Sequence, residues 1–75
     1  MEELILYIAR ILVDEPDAVQ VRQVRGRQGP IYKLTVDPND RGKIIGKSGR
    51  IVDAIREILD AAAARQGTHV TLDIV

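Results

Sequence analysis

Two glycines, Gly46 and Gly49, cut the apolar pattern in the middle of this 75-residue chain into a short helix and a long one. They stand in the stretch Gly42-Lys43-Ile44-Ile45-Gly46-Lys47-Ser48-Gly49-Arg50-Ile51. With no Cβ at these two positions, the backbone can turn sharply and admit another backbone at close range. A helix starting at Ser48 or Gly49 has first-turn amides with no partner inside the helix, and they carry partial positive charge. Lys43, Lys47 and Arg50 add full charges. The stretch is therefore a small cationic cradle suited to a phosphodiester backbone.

The segments on either side have clear periods. Glu2 to Val13 predicts a first helix, with Leu4, Ile5, Tyr7, Ile8, Ala9, Ile11 and Leu12 on one broad arc opposite Glu2, Glu3 and Arg10. Leu6 and Val13 fall outside that arc. Seven residues apart, they form a second apolar seam that the domain's own core leaves uncovered, a candidate partner surface. Pro16 ends the helix and biases Glu15 away from helical angles. Val19 to Val24 and Ile31 to Val36 read as strands, with Tyr32, Leu34 and Val36 sharing one face. The glycine-rich stretch Arg25 to Pro30 joins them as an antiparallel hairpin.

Asp37 and Pro38 start the short helix, Asp37 as cap and Pro38 at the first helical position. Arg50 to about Arg65 is the most regular helix, with Ile51, Val52, Ala54, Ile55, Ile58, Leu59 and Ala62 on its apolar side. Gly67 is its C-terminal stop. Thr68 to Val75 alternates Val70, Leu72 and Ile74 against His69, Thr71 and Asp73, a half-buried strand. The order helix, strand, strand, helix, helix, strand places a right-handed crossover between the second and third strands, which then run parallel. The prediction is an α+β fold, α-β-β-α-α-β, with a three-stranded mixed sheet, its second strand central, and three helices on one face.

Ile44-Ile45-Gly46-Lys47-Ser48-Gly49-Arg50-Ile51 resembles the Ile-Ile-Gly-x-x-Gly-x-x-Ile signature of the KH (K homology) nucleic-acid-binding domain at every motif position. The element order looks like the type II KH arrangement of bacterial proteins, and the resemblance covers residues 1–75 as a single domain. It implies a GXXG loop that clamps a short single strand of RNA, with single-stranded DNA as a second candidate ligand. Carried onto this chain, the RNA-binding residues are Lys43, Ile45, Gly46, Lys47, Ser48, Gly49, Arg50 and Ile51. Amides around Ser48, Gly49 and Arg50 meet the phosphates, and Ile45 and Ile51 form part of an apolar floor for about four bases. The resemblance further implies an RNA chaperone or post-transcriptional regulator that acts with a larger bacterial KH partner or as a homodimer.

Net charge is zero, but it is unevenly spread. Residues 22 to 50 hold Arg22, Arg25, Arg27, Lys33, Arg41, Lys43, Lys47 and Arg50 against Asp37 and Asp40, while both ends of the chain are acidic. Such a block steers a polyanion to one face. The hairpin cations on their own read as an exposed turn with no ligand. Only two aromatic residues, Tyr7 and Tyr32, are present, and both fall on core faces, so stacking adds little to RNA affinity.

Other functions fit less well. Gly42 to Ser48 resembles a phosphate-binding P-loop, but three residues separate its glycines where that loop needs four. A DNA-reading helix-turn-helix would expose base-reading side chains on its second helix, where Asp53, Glu57 and Asp60 stand instead. A protein-assembly module with little RNA affinity of its own is the remaining alternative. There is no cysteine, no catalytic grouping and no second ligand candidate near His69, the one histidine. The sequence therefore predicts a non-enzyme without metal, cofactor or small-molecule substrate. The absence of a spanning or signal segment points to no membrane association and a cytoplasmic location.

Overall fold

The computed structural model describes all 75 residues. Strand β1 (Gln20–Gly26) and strand β2 (Gly29–Thr35) pair antiparallel, from Gln20 opposite Thr35 to Gly26 opposite Gly29. The turn between them is thus only Arg27-Gln28, shorter than the six-residue stretch suggested by composition. Gly29 makes the short turn possible. It sits at φ +136°, and a Cβ there would collide with the carbonyl oxygen of His69. Strand β3 (Thr71–Ile74) runs parallel to β2, with Ile31 opposite Thr71 and Leu34 opposite Ile74. The sheet order is β1-β2-β3, with β2 central as the element order predicts.

Helix α1 covers Glu2–Leu12, α2 covers Arg41–Ile45 and α3 covers Arg50–Arg65. All three pack on one face of the sheet, burying Ile5 and Ala9 from α1, Ile44 from α2, and Ile55 and Leu59 from α3 against Tyr32, Leu34 and Leu72. Short 3₁₀ turns precede α2 (Pro38–Asp40) and α3 (Lys47–Gly49). At the first of these the Asn39 amide donates to Asp37 Oδ1 at 2.9 Å, the predicted cap. The Arg56 guanidinium donates to the carbonyl oxygen of Leu72, 3.0 Å from Nη2, and ties α3 to β3. Its exposed pairing with Asp53, at 3.8 Å, contributes a few tenths of a kcal/mol at most.

The predicted Leu6/Val13 seam is not formed. Val13 is 8% exposed and belongs to the core, and Leu6 is half-buried against it. The reason is local: α1 ends at Leu12, and Val13 is extended (φ −97°, ψ 161°), which swings its side chain off the helical wheel and inward. The exposed apolar residues of α1 are instead Tyr7 (66%) and Ile11 (64%), four apart on the edge of an arc too broad for one sheet to cover. Tyr7 is therefore on the surface and only Tyr32 is in the core. On α3, likewise, Ala63 is buried while Ala54 and Ile58 are exposed.

Burial ranks the expected cost of truncation. Leu59→Ala, at a site 1% exposed, is expected to lower stability by about 2–5 kcal/mol, a large share of the total for a domain this size. Tyr7→Ala is expected to change it by no more than about 0.5 kcal/mol. Urea unfolding followed by circular dichroism separates the two.

Candidate functional site

The turn between α2 and α3 is built by two glycines and one serine with positive φ. Gly46 has φ 75° and ψ 172°, Ser48 φ 57°, and Gly49 φ 75° and ψ 13°. A Cβ on Gly46 would lie 2.6 Å from Ile51 Cγ1, so Ile51 fills the space where a side chain would stand. Gly49 has only Val52 near, at 4.0 Å, so its need for glycine is conformational rather than steric. Lys47, Ser48 and Arg50 are exposed on the outside of the bend, and Ile45 and Ile51 are half-buried beneath it.

The amides of the bend differ from the sequence-based expectation. The Gly49 N–H donates to the Gly46 carbonyl oxygen at 3.2 Å, and the Arg50 N–H donates to that of Lys47. Both bonds close the 3₁₀ turn, so neither donor is open to a phosphate without rearrangement. No side chain caps α3, whose N-cap is Gly49. Positive potential at the bend thus comes from the uncapped helix start together with Lys47 and Arg50.

The elbow is set between a five-residue helix and a sixteen-residue one above a mixed sheet. The family model described as "KhpA/KhpB, KH domain" covers residues 2–74. The chain belongs to the KhpA/KhpB KH-domain family. The RNA-binding protein KhpA of Caldanaerobacter subterraneus subsp. tengcongensis is 48% identical over 75 residues, the whole of both chains. That of Clostridium acetobutylicum is also 48% identical over the whole of both. The RNA-binding protein KhpA of Chlamydia trachomatis serovar D is 45% identical over all of this chain and 96% of its own. No solved structure matches the chain.

In this KhpA/KhpB-type domain the basic residues of 22 to 50 do not form one patch. Lys47 and Arg50 stand at the start of α3, whereas the Arg27-Gln28 turn packs near His69, just beyond the end of that helix. Sixteen helical residues separate the two by about 24 Å. Proximity in sequence between the hairpin and the bend concealed this distance, because the seven residues of β2, about 23 Å long, run between them.

Lys43 stands apart from the other predicted site residues. Its ammonium pairs with Asp14, and with Asp40 Oδ1 at 3.5 Å, which ties α2 to the segment after α1. Asp40 is the one buried charged residue (2% exposed), and its Oδ2 accepts from the Glu15 amide at 3.0 Å. Burial alone would raise the Asp40 pKa, but the amides of Glu15 and Asp14 and the charge of Lys43 outweigh it and hold it below the usual aspartate range. The Lys43 pKa is raised, chiefly by its bond to Asp14 and against the opposing effect of burial. In the sequence Asp40 stands only as one of two acids within the basic stretch. The signal available was an acid three residues before a lysine, a common pattern that does not reveal a partner 25 residues away.

These shifts set the sign of two pH effects. A lowered Asp40 pKa means that its stabilisation is present above the ordinary aspartate pKa, about 3.9, and is lost as pH falls through the folded value. A raised Lys43 pKa means that its share is present below the ordinary lysine value and is lost as pH rises through the folded one. Asp40→Asn is expected to flatten the acid limb of a urea-midpoint profile measured from acid to neutral pH. In the bend, Gly46→Ala is expected to cost about 1–3 kcal/mol, more than Gly49→Ala, because it adds a clash with Ile51 to the strained φ. Urea unfolding of both variants checks the order.

Proposed function

We propose that this chain binds single-stranded RNA through the Gly46–Gly49 bend, as a non-catalytic module acting in the cytoplasm. The observation that carries this reading is an exposed, glycine-built bend bearing Lys47, Ser48 and Arg50, in a family whose full-length relatives are named RNA-binding proteins. Lys47 and Arg50 supply charge to the phosphates, and the start of α3 adds its partial positive potential. Gly49, with open space where a Cβ would stand, lets the strand approach the backbone, Gly46 shapes the bend by making room for Ile51, and Ser48 offers a hydroxyl at the tip. Ile45 and Ile51, half-buried beneath the bend, give the bases an apolar floor.

Lys43 supports the site in this reading by holding α2 to Asp14 and Asp40. Single-stranded DNA shares the phosphate chemistry and is a second ligand for the same bend. One copy offers no aromatic platform at the bend, so its affinity is low and falls steeply with salt. A second RNA-binding copy raises the effective concentration at the strand. The partner fitting this need is a KhpB-like KH protein, or a second copy as a homodimer, and the biological role is that of an RNA chaperone or post-transcriptional regulator.

Fluorescence anisotropy with a short labelled RNA tests the bend. The Lys47→Asp/Ser48→Asp variant is expected to bind at least about tenfold more weakly, ~1.4 kcal/mol, with its circular dichroism spectrum unchanged. The slope of log K against log salt is expected to fall by about 0.7 for each phosphate that the variant no longer neutralises. Undiminished binding by a folded variant removes the bend from the mechanism.

A further inference from the structure

The β1–β2 hairpin carries Arg22, Arg25, Arg27 and Lys33, with no acid between Ala18 and Val36. Pairing in the ladder sets Arg22 directly opposite Lys33, on the sheet face away from the helices. Like charges in that position repel and weaken the pair of strands. Relief is slight: Asp73 approaches Lys33 only at 3.9 Å, and the other ion pairs of the structure involve Lys43 and Arg56. The arginines of the hairpin are therefore unpaired.

Around the free edge of β1 lies a surface hollow of about 720 Å³. Arg10 of α1 joins Arg22 and Lys33 in its wall, Leu6 and Val21 supply apolar surface, and no aspartate or glutamate lines it. From Arg22 to Arg27 the chain rises by about 17 Å, which carries the positive charge on to the hairpin tip. The result is a cationic track on an edge strand, ending beyond the far end of α3 from the Gly46–Gly49 bend. A second copy is a poor occupant, since pairing β1 with β1 would gather the positive charge of two hairpins along one seam.

We propose that the track formed by Arg10, Arg22, Lys33, Arg25 and Arg27 is a second RNA-phosphate contact, separate from the bend, so that one molecule holds two segments of RNA. The repeating negative charge of a phosphodiester chain matches cations set along the edge strand and its turn, with Arg22 and Lys33 on one face of the sheet, Arg25 on the other and Arg27 at the tip between them. It also relieves the repulsion between Arg22 and Lys33. The turn end of the track lies about 24 Å from the bend, the length of α3, beyond the reach of a strand of about four nucleotides, and Arg22 and Lys33, though nearer along the sheet, lie on the face away from the helices. The track thus acts on long RNAs, or on a second strand, and not on a short one.

The inference rests on RNA binding at the bend, and the experiment keeps the two apart. Anisotropy is measured with a six-nucleotide RNA and a twenty-four-nucleotide RNA for the wild type, Arg22→Gln/Lys33→Gln and Arg25→Gln/Arg27→Gln. The second pair of substitutions lies at the turn, so it remains informative if the first disturbs the sheet. Both variants are expected to bind the short RNA as the wild type does. On the long RNA each is expected to bind about threefold or more weakly, with a salt slope lower by about 0.7 for each phosphate left without its cation. Equal affinity and slope on the long RNA for both folded variants overturns the second contact and leaves the bend untouched. A wild type that binds neither RNA overturns both readings. Competition for the track by a polyglutamate peptide, with long-RNA binding undiminished in the variants, identifies an acidic protein segment as its ligand and also overturns the proposal.

Discussion

The packing of Ile51 against Gly46 is the constraint on which the arrangement of α2, the bend and α3 depends. Ile51 occupies the volume that a side chain at position 46 would need, and the backbone at Gly46 takes angles open only to glycine. That elbow lets Ile44 on one side and Ile55 and Leu59 on the other reach the same core. It also throws Lys47 and Ser48 outward, because a chain reversing over so few residues has no room to turn them in. Packing and exposure of the site have a single steric cause.

Polar chemistry fixes the elbow against the rest of the molecule. A carboxylate buried like Asp40 is costly unless its oxygens are satisfied. Here a backbone amide 25 residues away and a lysine three residues on satisfy them. The group stays charged and stitches the start of α2 to the end of α1. Arg56 does the equivalent on the other flank by bonding the Leu72 carbonyl, which joins α3 to β3. Both are side-chain bonds between elements distant in sequence, and each places a helix that bears on the bend. The internal bonds of the bend, from Gly49 to Gly46 and from Arg50 to Lys47, give it a defined shape without ligand.

Zero net charge conceals strong local fields in this small domain. Acids gather near the chain ends and cations on the middle elements. Folding then separates the cations into two regions, because α3 and the β2 strand each span about 23–24 Å of a molecule whose longest extent is 34 Å. One region has an uncapped helix start and two flexible cationic side chains. The other has arginines held on an edge strand and its turn. Positive charge on an edge strand discourages pairing with another copy of that strand, so one feature serves both solubility and electrostatics.

Local pattern was sufficient for the order and type of the elements, the central place of β2, the inward faces of Tyr32, Leu34 and Leu72, and the location of the bend. The place of β2 follows from connectivity, and the rest from periodicity of two or 3.6 or from glycine and proline chemistry, which act over a few residues. What local pattern could not supply was anything decided by where distant segments meet. Val13 leaves its helical wheel and enters the core because α1 stops one residue before it. Tyr7 and Ile11 stay in solvent because one sheet covers less of a helix than its apolar arc offers. Asp40 became a buried anchor only once Glu15 was beside it, and the basic block became two regions only once α3 lay between them. A KH-type chain with its bend is thus written into the residues alone, since sterics and periodicity are local. Which charges are engaged and which are free emerges only on folding, since pairing depends on distances through space.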